Sequence, residues 1–402
     1  MLPGMPSRHL LVRFLAALAA LALALAGTIV LAGTASAAGR TWSVPVGSSP
    51  TRLALSPDGT RLYVANSGSN SVSVIDTAHR AVIATIGVGA GPQGIAVSPD
   101  GTKVIVANRL DGTYSFIDTS TLAVYHTVPT IGSTCDEPQA VAFHPDGSTA
   151  YVGCGADQRL DSINTTTYAI GIVSAGSVPA KAIAVSSSAN EVIYIGGFAG
   201  IYVNSGWAPG INPEPVAVAT TSNAAVSYTP HDNGTMSKLT QAGGTVTNFP
   251  VGSSLTDVSL NAAGTHAYVS DKGTNEVLEV DLATHGRLAS FPTGNGPRAI
   301  AVDSSESFAY TANAGDNTVS IIDMRAQASG DNVPTAPLQQ FARAESDACD
   351  VQPDTLIDFP GLADLANVSW GRSWAQWPNG GTGGFVCTRQ PYYTTAGSWA
   401  VR

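Results

Sequence analysis

Charge is scarce in this sequence: Asp, Glu, Lys and Arg together make up 12% of its 402 residues. Lysine is scarcer still, four residues against fifteen arginines. Acids are in excess, and the formal net charge is −10. Such a surface repels phosphate backbones, so nucleic acid is excluded as a partner. There are only four cysteines, and no two have CxxC spacing, so no zinc site is spelled out. The GxSxG, HExxH, Walker and Rossmann patterns are absent as well. The glycines at Gly87, Gly89 and Gly91 have the wrong spacing for a dinucleotide loop and read as a turn. The sequence names no catalytic residue, no metal and no cofactor.

Long apolar runs are also lacking, with one exception at the start. Phe14 to Ala32 is uncharged; Arg8 and Arg13 precede it, and the small residues Ala35, Ser36 and Ala37 follow. Basic, then apolar, then small is the order of a secretory signal. Residues 1–38 are therefore expected to be a signal peptide cut after Ala37 or Ala38. An uncleaved anchor is the alternative, and the one route to membrane contact. Removal takes two positive charges, leaving 17 against 29 acids, or −12. The expected destination is the cell surface or the extracellular space, where cysteines pair.

What the chain has in abundance is glycine, 42 residues, and proline, 24. Both punctuate a repeat. Its clearest copy, Val88 to Tyr125, holds four short apolar runs, with Pro99, Asp100 and Gly101 as a tight turn between the first two. Copies open with PTRLAL at Pro50, PQGIAV at Pro92, PQAVAF at Pro138 and AKAIAV at Ala180. Three more open with PEPVAV at Pro213, LTDVSL at Leu255 and PRAIAV at Pro297. A period of about 42 residues fits four-stranded propeller blades. The seventh copy lacks a fourth strand, while Thr41–Val44 stands before the first copy as a strand without a sheet. The expectation is an all-β, seven-bladed propeller in which Thr41–Val44 completes the last blade and protects its edge.

The repeats can be compared with a known family. YVAN at Tyr63, YVSD at Tyr268 and YTAN at Tyr310 each follow a turn like Ser-Pro-Asp-Gly; VSVID (Val72–Asp76) and VSIID (Val319–Asp323) follow in turn. This resembles the YVTN β-propeller repeat of YncE-like and surface-layer exported bacterial proteins. More distantly the chain resembles the seven-bladed lactonase and lyase propellers. The resemblance implies the fold more strongly than any activity.

Four segments are expected: the signal at 1–38, a propeller at 39–325, a polar linker at 326–337 and a small module at 338–402. The module carries Trp370, Trp374, Trp377 and Trp399 around a glycine-rich stretch, and a helix is expected over Leu338–Ala348. A disulfide between Cys349 and Cys387 would staple it. Its tryptophans either form a core or stack on sugar rings. Cys135 and Cys154 flank the third hairpin and are expected to form a second disulfide.

Ligands of a propeller are expected at the mouth of its channel. The position two before each opening Leu, Ile or Val supplies Thr51, Gln93, Gln139, Lys181, Glu214, Thr256 and Arg298. The loop after the second strand adds Asn66, Asn108, Arg109, His231, Asp232, Asp271, Lys272, Asn313 and Asp316. Lys181 and Arg298 are placed to attract an anion, with Glu214 to pair with either. A single carboxylate in that ring argues against a divalent ion. His79, His144 and His285 fall in turns and are expected to be structural. The expected function is a binding or scaffold protein for a protein, peptide or glycan ligand. A lactonase- or lyase-like enzyme and a structural surface-layer component are the alternatives.

Overall fold

The computed structural model describes residues 40–130, 135, 137–155, 159–175, 180–187, 192–196, 200–203, 206–207, 214–241, 244–325, 369–370 and 391–392. The chain divides into two compact units, Met1–Asp331 and Asn332–Arg402. The first is all-β and contains seven four-stranded antiparallel sheets.

Each sheet is a meander of consecutive strands. The first runs Pro50–Leu55, Arg61–Asn66, Ser71–Asp76 and Ala81–Gly87. The second repeats it as Pro92–Val97, Lys103–Asn108, Thr113–Asp118 and Ala123–Pro129. The third, fourth, fifth and sixth sheets begin at Pro138, Ala180, Ala219 and Leu255. The seventh has Pro297–Val302, Phe308–Asn313 and Thr318–Asp323, and its fourth strand is Thr41–Pro45 from the other end of the chain. Val44 faces Val319 and Trp42 faces Ile321, the pairing expected from the unmatched N-terminal strand.

Burial explains the strand sequences. The second strand Lys103–Asn108 is buried at five consecutive residues because sheets cover both of its faces. The fourth strand Ala123–Pro129 lies at the rim and alternates between exposed and half-buried residues, with Val128 buried. Apolar clusters fill the space between one sheet and the next. Tyr63, Val72 and Val74 of the first meet Ile95, Val104 and Ile117 of the second. Leu53, Leu62 and Ile75 of the first also meet Tyr310, Val319 and Ile321 of the seventh. Ala182 of the fourth meets Val218, Ala224 and Leu239 of the fifth. The first strand of each sheet packs on those of its two neighbours, and the seventh meets the first.

The turn after the first strand forms as its sequence predicts. Gly59 and Gly101 both adopt φ of 71°, open to glycine without strain. Asp100 accepts hydrogen bonds from the Ser98 hydroxyl (2.5 Å) and the Thr102 amide (3.0 Å), which hold its carboxyl below the ordinary range.

The fifth copy is corrected by two residues. Its opening position is Pro215, not Pro213, because Pro215 bridges His231 as Pro50 pairs with Asn66. The sequence mistook PEPVAV for an opening because prolines stand at both positions. Its inner strand is only Ala219–Thr220.

Cys135 and Cys154 form a disulfide, with Cα atoms 5.1 Å apart. In the second unit, Ser369–Trp370 pairs antiparallel with Pro391–Tyr392. Cys349, Cys387, Trp374, Trp377 and the expected helix at 338–348 lie outside the described residues.

Candidate functional site: the central channel

The expected ring of mouth residues occupies a structural feature invisible in the sequence. In six sheets the register slips at the second residue of the inner strand. Pro50 faces Asn66 and Arg52 faces Ala65, so Thr51 has no partner. The same β-bulge holds Gln93, Gln139, Lys181, Thr256 and Arg298. A bulge re-aims its side chain, in the first and sixth sheets toward the next sheet. Thr51 donates its hydroxyl to the Pro92 carbonyl (3.1 Å), and Thr256 donates to that of Pro297 (2.8 Å). Gln139 lies close over Gly155, and Gln93 is half-buried, while Arg298 is exposed. Lys181 and Glu214 do pair with each other, both over a third exposed. Glu214 lies outside the ring of equivalent positions, because the fifth copy begins two residues later than expected, at Pro215.

The second set of expected ligands is a brace inside each sheet. Asn108 and Asn313 are fully buried. Asn108 donates its side-chain amide to the hydroxyls of Thr113 (3.0 Å) and Ser115 (2.9 Å), and Asn313 does so to Thr318 (3.0 Å) and Ser320 (2.9 Å). These two side chains tie the second strand to the third. Asn66 repeats the arrangement. His231 takes the same position in the fifth sheet, its Nε2 2.6 Å from the Ser237 hydroxyl, and burial pushes its imidazole below the ordinary value. Asp271 takes it in the sixth. Burial opposes its ionisation, but amides of Ser253, Ser254 and Gly273 outweigh that and hold its carboxyl below the ordinary range. Asp232 is drawn away from His231 into a pair with Lys272 (2.9 Å), and Arg109 pairs with Glu137 (2.8 Å). The loop residues that were to line a site are largely engaged with one another.

One residue further along each inner strand, the chain does open onto a cavity of about 150 Å³. Arg52, Gly94, Ala140, Ala182, Ala217 and Asp257 line it, with Lys181 alongside. Four of these six equivalent positions are glycine or alanine, which leaves the space. The other two are opposite charges from the first and sixth sheets. An Arg52 guanidinium nitrogen lies 3.5 Å from a carboxylate oxygen of Asp257. It also donates to the Arg298 carbonyl (3.2 Å), while Asp257 accepts from the amides of Val258 (3.0 Å) and Ile300 (3.2 Å). Burial raises the Asp257 carboxyl above its ordinary value, with Arg52 and the two amides opposing that rise. A half-buried pair of this kind presents a donor fork and an acceptor within one small channel. The sequence signal was available: Arg52 and Asp257 interrupt a column of small residues.

A third group, Cys135, Cys154 and Asp161, gathers ligand-type atoms. Its sulfurs are joined to each other, and Asp161 is 2.6 Å from Arg159 in a buried ion pair. It is a structural knot, not an open metal centre.

Comparison with known proteins agrees with the geometry. Residues 10–195 match the model of the YNCE-like beta-propeller, and residues 219–340 match the model named Lactonase, 7-bladed beta-propeller. Among solved structures, a chain titled Kuenenia stuttgartiensis Hydrazine Synthase is similar in fold, with a TM-score of 0.62 at 20% identity. The alignment covers 69% of this chain and 96% of that one. No curated protein matches. The repeats, the sheet order and the two matched models agree on a β-propeller, similar to the YNCE-like family over residues 10–195.

Proposed function

We propose that this chain is an exported binding protein whose seven sheets close into one ring, with the ligand site in its channel. The observation that carries the reading is the Arg52–Asp257 pair, set among small residues with Lys181 beside it. A propeller that needed only to be rigid would fill that position uniformly. Instead two charged side chains are half-buried where the column is otherwise glycine and alanine, at a desolvation cost that a ligand's own charges offset. The chemistry suits a small polar molecule bearing both a carboxylate and an ammonium group, the carboxylate on Arg52 and Lys181 and the ammonium on Asp257. Export rests on the basic, apolar and small residues of 1–38.

The test is calorimetric titration with free amino acids, beside a carboxylate and an amine that each carry one charge. Saturable binding of the zwitterions, lost in Arg52→Gln and Asp257→Asn, supports the reading. Heats that are flat for every compound, or unchanged in both variants, overturn it. N-terminal sequencing of protein recovered from an exporting host reports whether residues 1–38 are removed.

The lactonase model match over 219–340 favours one alternative, hydrolysis of a cyclic ester in the same channel. Release of acid from a panel of lactones, abolished by Asp257→Asn, would put that alternative first.

A further inference from the structure

The chain enters each inner strand through one residue, and among the described residues these are Ser49, Gly91, Glu137, Glu214, Ser254 and Gly296. Glu137 and Glu214 are the acids of this set, and each takes a cation from the sheet before it. Glu137 pairs with Arg109, in the loop after a second strand (2.8 Å). Glu214 pairs instead with Lys181, which sits on the bulge of the fourth inner strand and lines the cavity. One acid thus binds a loop cation, the other a channel cation.

The charges of the cavity differ in how firmly they are held. Arg52 is tied to Asp257 and to the Arg298 carbonyl, and Asp257 to the amides of Val258 and Ile300. Lys181 has the Glu214 carboxylate as its partner, and both side chains are over a third exposed. Water screens such a pair, and exposed pairs shift an equilibrium by at most about fivefold. The lysine stem is flexible, and its ammonium turns readily from one acceptor to another. A carboxylate entering the channel therefore displaces Glu214 at small cost. The displaced residue stays at hand, because Pro215 bridges His231 and the Val216 amide donates to the Pro230 carbonyl (3.0 Å).

We propose that Glu214 is a built-in stand-in for the ligand's carboxylate, and that it sets affinity and charge selectivity in the channel. This role rests on the channel being the ligand site, as proposed above. Before binding, Glu214 neutralises Lys181. On binding, Lys181 passes to the incoming carboxylate, and Glu214 is left as a negative charge beside it. A zwitterion with one carboxylate brings its own ammonium and carries no net charge to be repelled. A ligand with a second carboxylate meets the displaced Glu214 and is disfavoured. The ligand class narrows accordingly to amino acids with uncharged side chains.

The experiment titrates the full-length protein calorimetrically with alanine and with glutamate, at neutral pH and low ionic strength. Glu214→Gln is expected to bind alanine about two- to fivefold more tightly than the unaltered protein, and to gain more for glutamate. Glu214→Asp keeps the charge but falls one methylene short of Lys181. It is expected to gain for alanine while still discriminating against glutamate. In a Lys181→Met background the competition is gone, so adding Glu214→Gln is expected to bring no gain for alanine. Alanine binding equal in the unaltered protein and Glu214→Gln, yet lost in Arg52→Gln, overturns this role and leaves the channel site standing. The same gain with and without Lys181 also overturns it, since Glu214 would then act only as a distant charge. Binding of neither amino acid by the unaltered protein or any variant overturns the channel site and this role together.

Discussion

The second and third sheets solve one packing problem in two ways. In the second, Gly89 passes so close over Asn108 that a Cβ on the glycine would sit 2.6 Å from the asparagine side chain. In the third, the equivalent positions are Cys135 and Cys154, and the close approach has become a covalent bond. The spacing is the same, 108 − 89 = 19 and 154 − 135 = 19. The fifth sheet gives a third solution, His231 against Ser237. The fold requires a link between the entering loop, the second strand and the third strand; it does not require a particular residue to make it.

Breaking the covalent version should have the largest effect. Cys135→Ser with Cys154→Ser is expected to lose about 3 kcal/mol in urea unfolding, from loop entropy restored to the unfolded chain. The converse sharpens the comparison: Gly89→Cys with Asn108→Cys should form a disulfide, visible by mass under non-reducing conditions. It should raise the melting temperature in a way that dithiothreitol reverses. Breaking the non-covalent version comes next. Asn108→Ala leaves the Thr113 and Ser115 hydroxyls without their donor and is expected to cost about 2 kcal/mol in the same assay.

The histidine version should be the one that responds to acid. Because burial lowers the folded pKa of His231, its neutral form is favoured in the fold. The contribution is full above the unfolded value of about 6.5 and falls as pH drops from there toward the folded value. Unfolding measured from pH 7.5 to 5 should show this loss, and His231→Asn should flatten it. The smallest effect is expected at the exposed Lys181–Glu214 pair, where Lys181→Ala should change stability by less than about 1 kcal/mol.

The repeat made most of the ring legible. Openings such as PQGIAV, turns such as Ser98 to Gly101 and the stray strand Thr41–Val44 each pointed to the element that forms. What the sequence concealed was register. A β-bulge at Thr51, Gln93 and Lys181 re-aims those residues, Thr51 toward the next sheet, and puts Arg52, Gly94 and Ala182 on the cavity. Counting from the opening proline therefore picks the bulged residue and passes over neighbours such as Arg52 and Asp257, which line the cavity with Lys181. Asn108 and Asn313 misled for another reason: a polar residue at the end of a strand reads as a loop ligand, whereas here it is a buried donor.

The pairing of Val44 with Val319 joins positions 319 − 44 = 275 residues apart. Bringing such distant ends together costs about 5 kcal/mol of chain entropy before any strand contact repays it. A growing chain therefore carries its first strand partnerless until almost the whole ring has been made. Until that moment Thr318–Asp323 presents an open strand edge, the surface that strands from other molecules recognise. The last step of folding is thus also the step that takes the protein out of reach of aggregation, and a truncation that removes Thr318–Asp323 would leave the first strand permanently without its partner.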